Sequence, residues 1–124
     1  MPPRISLVVD DESSIRAYVK AILEREQFQI IEAEDGTQGL HWVEKLGDAL
    51  DLIVSDIQMR GGDGLTFVCS VRESFPAVPI ILVSGFAEPG KYPSTSFEFV
   101  QKPFRPAALL TAIENATKKM ELRK

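Results

Sequence analysis

The sequence predicts an α/β protein built on a doubly wound parallel sheet of five strands, in the flavodoxin-like order 2-1-3-4-5. Short apolar runs recur along the chain, and helical patterns lie between them. The first three of the four main runs do not alternate polar with apolar residues, as expected of strands buried on both faces. Strands that alternate with helices pair in parallel and are covered on two sides.

The runs Ile5 to Val9, Leu52 to Val54, Ile80 to Val83 and Phe97 to Val100 are the clear strand candidates, and Gln29 to Ala33 is a weaker one. Ile15, Tyr18, Val19, Ile22 and Leu23 repeat at helical spacing, with Ser13 or Ser14 as candidate N-caps. A second stripe, Leu40, Val43, Leu46 and Leu50, follows Asp35-Gly36. Leu65, Val68, Val71 and Arg72 mark a third helix, which Pro76 closes. Pro106 suits the first position of a last helix carrying Leu109, Leu110 and Ile113. One unit departs from the pattern. Between Ser84 and Phe97 stand Pro89, Gly90 and Pro93, so the fourth helix is expected to be shortened or irregular.

The 124 residues suit one domain, taken as 1–124. A net charge of −4 argues against direct nucleic acid binding as the main function. The single cysteine, Cys69, leaves no internal disulfide and reads as a packing residue, as does Trp42. No apolar run is long enough for membrane insertion, and no signal-peptide pattern is present, so a cytoplasmic location is expected.

Ligands of such sheets sit outside the carboxyl ends of the strands. The first strand ends in Asp10-Asp11-Glu12, the third in Ser55-Asp56, the fourth in Ser84-Gly85 and the fifth in Gln101-Lys102-Pro103. Clustered carboxylates repel one another unless a cation neutralises them, and a hydrated Mg²⁺ with oxygen ligands does so. Phosphoryl transfer needs positioning and charge stabilisation. Mg²⁺ and Lys102 would supply positive charge and Ser84 a hydrogen bond. A carboxylate such as Asp56 can be the nucleophile.

Four segments, LVVDDE (residues 7–12), SDIQMRGGDGL (55–65), VSG (83–85) and QKPF (101–104), resemble the receiver domain of two-component response regulators. The resemblance runs over almost the full length. It implies that Asp56 is the phosphoacceptor, that Asp11 binds Mg²⁺ directly and Asp10 through water, and that the Gln58 carbonyl is the remaining protein ligand. It further implies that Ser84 and Lys102 engage the phosphoryl group and that Ser84 and Phe99 form the switch. The Lys102-Pro103 bond is expected to be cis. Implied partners are a histidine kinase or a histidine phosphotransfer domain, and a weak homodimer is compatible with the pattern. The SGFAE start after the fourth strand resembles receivers of hybrid histidine kinases more than those of transcription factors.

Other readings compete. A Mg²⁺-dependent phosphatase would want a second acid two residues after the nucleophile, where Gln58 stands and cannot transfer a proton in that role. No separate substrate turnover is therefore expected. A phosphorylation-independent interaction module on the same fold would tolerate loss of the acids, yet all are present. His41, the single histidine, lies in the second helical pattern and reads as a surface or groove residue. Phe86 could shield the site or merely pack against the shortened loop.

Overall fold

β1 (Arg4–Val9), β2 (Phe28–Ala33), β3 (Leu52–Asp56), the two-residue strands β4 (Gln58–Met59) and β5 (Gly62–Asp63), β6 (Ile80–Ser84) and β7 (Glu98–Gln101) are joined by α1 (Ser13–Arg25), α2 (Gly36–Leu46) and α3 (Gly64–Ser74), and α4 (Pro106–Leu122) follows. These elements come from a computed structural model that describes residues 3–59, 62–85 and 97–122. The large sheet has the order β2-β1-β3-β6-β7, with every neighbouring pair parallel. With the small antiparallel β4–β5 ribbon set aside, this is the expected 2-1-3-4-5 order. The expected irregular fourth helix, and with it Phe86, falls in 86–96, outside the described residues.

Two apolar layers explain why the central strands do not alternate. Val8, Leu52, Val54, Ile81, Val83 and Val100 pack with Val19, Ile22 and Leu23 of α1 and Leu109, Ala112, Ile113 and Ala116 of α4. Leu7, Val9, Ile53, Ile80 and Leu82 pack instead with Val43 of α2 and Phe67, Val68 and Val71 of α3. Successive side chains leave a strand on opposite faces. A strand with a layer on each face therefore reads as unbroken apolar sequence, and every residue of β3 and β6 is buried.

β3 and β6 run past their last apolar residues and end on Asp56 and Ser84, where the sequence places the strand ends. The structure revises several other local expectations. Neither Ser13 nor Ser14 caps α1: Glu12 holds the N-cap position, with no side-chain cap bond. Asp10 takes over that part of the turn, its carboxylate accepting from the Glu12 N–H at 2.9 Å. Tyr18 lies off the core face of α1, 39% exposed. α2 is capped by Asp35, which accepts from the Gln38 N–H. It stops at Leu46 because Gly47 turns the chain at φ +51°, so Leu50 joins the core from beyond the helix. Cys69 is exposed on α3 rather than packed, whereas Trp42 is half-buried against the core. α4 begins at Pro106, as expected.

Gly64 closes the loop after β3, donating its N–H to the Ile57 carbonyl at 2.7 Å. A Cβ there would overlap the backbone carbonyl of Asp56, and backbone cannot swing aside. Gly64→Ala is accordingly expected to cost on the order of 3 kcal/mol by overpacking, read as a lower urea midpoint. Ser6 gives the opposite case. It is fully buried, and its hydroxyl has no hydrogen-bond partner among the described residues. Ser6→Ala removes that stranded polar atom and should raise stability by about 1 kcal/mol in the same assay.

Candidate functional site

The site is assembled where β1, β3, β6 and β7 end. Asp10 is the first residue past β1, and its N–H still donates to the Ala33 carbonyl at 3.1 Å, which keeps it in line with the sheet. Asp56 closes β3, opposite Val83 in register. The next N–H, of Ile57, donates to the Val83 carbonyl at 3.1 Å. Ser84 closes β6 opposite Gln101, and its carbonyl accepts from the Lys102 N–H at 2.7 Å. Backbone hydrogen bonds to a neighbouring strand thus hold the chain at or beside each of these side chains.

Asp10 is 3% exposed, Asp56 6% and Ser84 3%, while Asp11 is half-buried. One oxygen from each of Asp10, Asp11 and Asp56 lies within 4.8 Å of the others. The Lys102 ammonium sits among them, 3.1 Å from Asp10 Oδ2 and 3.5 Å from Asp56 Oδ2. The Gln58 N–H lies 3.4 Å from Asp56 Oδ1.

Burial raises the pKa of Asp56 from 3.8 to about 6, and the Asp10 charge adds to this. Lys102 and the N–H groups of Gln58 and Ile57 oppose the rise without cancelling it. Burial pulls on Lys102 in the downward direction, but its hydrogen bond to Asp10 and the charges of Asp10, Asp56 and Glu12 outweigh it, and its pKa is raised. One ammonium among three carboxylates leaves an excess of negative charge. The donor set is all oxygen, and Asp11 opens it to water. These features fit a hard divalent cation such as Mg²⁺.

Asp10, Asp11, Asp56 and Lys102 are therefore brought together as expected, with Ser84 at the end of the adjacent strand. Phe99 stands one strand further out in β7, opposite Leu82, half-buried against the α2–α3 side of the core. The Lys102-Pro103 bond is cis. His41 is exposed on α2. Two neighbours of the site went unforeseen. Arg16 donates to the Asp10 carbonyl at 2.7 Å and pairs with Glu32 at 3.1 Å. Tyr18 donates to the Phe104 carbonyl at 2.8 Å. Both reach partners through the fold, from positions whose spacing marks only a helix.

A family model described as response regulator receiver domain matches residues 6–114. The chain belongs to this family. It is 32% identical over 119 residues to the sensor kinase CckA of Brucella abortus, covering 93% of this chain and 13% of that one. It is 33% identical over 112 residues to the transcriptional regulatory protein ResD of Bacillus subtilis, covering 87% and 45%. The chain thus spans less than half the length of either relative. Among solved structures, the chemotaxis protein CheY4 of Vibrio cholerae superposes with a TM-score of 0.82 at 28% identity, covering 93% of this chain and 99% of that one. The receiver domain of the hybrid histidine kinase CckA gives a TM-score of 0.78 at 26% identity, covering 91% and 98%. Receiver domains are signalling modules of two-component systems. Among the described residues, no helix of this receiver is long and apolar enough to cross a membrane.

The raised pKa of Asp56 carries a prediction for the metal-free receiver. Between about pH 4 and pH 6 the folded chain holds this proton more tightly than the unfolded chain, so the Asp56 contribution to stability is full below that window and lost as pH rises through 6. Asp56→Asn should therefore stabilise the protein at pH 8 in EDTA, by at most ~3 kcal/mol for a shift of this size. The gain should shrink towards zero near pH 4. Urea unfolding of both proteins at the two pH values measures it.

Proposed function

We propose that this receiver accepts a phosphoryl group on Asp56 from a phosphohistidine of a histidine kinase or phosphotransfer protein, and that the modified aspartate biases a two-state element containing Ser84 and Phe99. The observation that carries the reading is the Lys102 ammonium between the buried carboxylates of Asp10 and Asp56. An ammonium there offsets the negative charge of an incoming phosphoryl group, in a site already short of positive charge.

In the transfer, Asp56 Oδ forms a bond to phosphorus as the bond from phosphorus to the donor imidazole breaks. The electron pair of that bond leaves on the ring nitrogen. Asp10 and Asp11, with Asp56 and the Gln58 carbonyl, would hold Mg²⁺. Mg²⁺ bound there supplies Lewis acidity towards a phosphoryl oxygen. Lys102 pairs with the phosphoryl group and the Ser84 hydroxyl hydrogen-bonds it. Burial of Asp56 limits water around the acyl phosphate. To carry a population from 1:99 to 99:1, phosphorylation must favour the active arrangement by about 5.5 kcal/mol.

Beryllofluoride with Mg²⁺ mimics the phosphoryl group and supplies the test. It is expected to shift the amide signals of Ser84 and Phe99 in the wild type and to leave them unmoved in Asp56→Ala. Lys102→Ala should keep Mg²⁺ binding and weaken beryllofluoride binding by tenfold or more, since a charge-assisted hydrogen bond is worth about 1.5–3 kcal/mol. An unshifted wild-type spectrum at saturating beryllofluoride rules the reading out.

A further inference from the structure

We propose that Tyr18 is a positioning residue for Lys102, acting with Arg16 so that α1 holds both ends of the Lys102–Asp10 pair. Its consequence for phosphoryl chemistry rests on the reading of Asp56 given above. The contacts themselves do not.

Lys102 carries its charge on a flexible four-carbon stem, so its backbone anchors limit where the ammonium can go. The segment 102–104 is anchored at two points. The Lys102 N–H donates to the Ser84 carbonyl at 2.7 Å, and the Phe104 carbonyl accepts from the Tyr18 hydroxyl at 2.8 Å. The Tyr18 and Phe104 rings also pack, with centroids 5.5 Å apart and planes tilted by 53°. The second anchor therefore crosses from α1 to the loop between β7 and α4.

Arg16 makes the matching contact on the other side. It donates to the Asp10 carbonyl at 2.7 Å and is itself fixed by Glu32 at 3.1 Å. Residues two apart on a helix point about 200° away from each other. Arg16 and Tyr18 thus leave opposite flanks of α1, one towards the loop that carries Asp10 and the other towards the loop that carries Lys102. One rigid helix spans the 3.1 Å ion pair from outside the site. Tyr18 is also the one large apolar side chain exposed among the described residues. Its ring adds little to the core, and its hydroxyl has a specific acceptor.

The test compares the wild type with Tyr18→Phe, which keeps the ring and loses only the hydroxyl. Three quantities are measured: the NMR signal of the Lys102 Cε–Hε group without Mg²⁺, the affinities for Mg²⁺ and for beryllofluoride in Mg²⁺, and the urea midpoint. Tyr18→Phe should move or broaden the Lys102 signal while those of Lys20 and Lys45 stay in place. Beryllofluoride affinity should fall about five- to tenfold, the worth of one hydrogen bond. Mg²⁺ affinity should stay within about twofold, because the backbone at Asp10 and Asp56 is held by the sheet. An unchanged Lys102 signal with unchanged beryllofluoride affinity overturns the proposal. So does an equal loss of both affinities with a lower urea midpoint, which is the signature of a merely structural contact. If the wild type itself fails to bind beryllofluoride, the phosphoacceptor reading fails, and the Lys102 signal still decides whether Tyr18 positions the ammonium.

Discussion

Two nearly inaccessible carboxylates, Asp10 and Asp56, share one ammonium, that of Lys102, at 3.1 and 3.5 Å. Burial strengthens their mutual repulsion and removes the water that would screen it. Desolvation of Asp56 is the larger effect and the Asp10 charge adds to it; Lys102 offsets only part of the two, so the Asp56 proton is held to about pH 6. A cluster left in this condition favours whatever brings positive charge. It also resists any rearrangement that would separate the ammonium from the acids.

Such a cluster persists only on a platform that cannot relax. The parallel sheet supplies it, because β3 and β6 are buried along their whole length and covered by a pair of helices on each face. The hydrogen bonds from Asp10 to Ala33, from Ile57 to Val83 and from Lys102 to Ser84 each run to a neighbouring strand. Gly64 brings the following loop against the Asp56 carbonyl, closer than any side chain would allow. α1 then joins the loops from outside the sheet, through Arg16 on one flank and Tyr18 on the other. The acids are held by backbone, whereas the ammonium depends on a flexible stem and on the anchoring of its loop. That difference separates metal affinity from phosphoryl affinity as experimental readouts.

Much of the architecture was legible in the chain because both of its periodicities are local. Unbroken runs such as Ile80 to Val83 can be satisfied only with apolar layers on two faces, and the Val19, Ile22 and Leu23 stripe only with one. The strand ends at Asp56 and Ser84 were legible too: apolarity stops at Val54 and Val83, and the ladder of hydrogen bonds continues through the polar residues that follow. The cap of α1 differs from the expected one. Ser13 and Ser14 have the right chemistry, but the Ile15 and Arg16 N–H groups already donate to the Glu12 carbonyl, so the helix begins at Ser13 with Glu12 as its N-cap.

By itself the sequence determined the α/β class, the strand order and the convergence of Asp10, Asp11, Asp56, Ser84 and Lys102 on one sheet edge, because in a parallel doubly wound sheet all strands point the same way and their ends meet. Tertiary structure alone decided how those charges are shared, how far Asp56 is pushed from its ordinary pKa and which residues outside the motifs steady the pair. Tyr18 and Phe104 are 86 positions apart, and Lys102 and Asp10 are 92 apart. No local pattern encodes such distances. They follow from packing α1 beside α4 on one face of the sheet, and that packing is a property of the whole core.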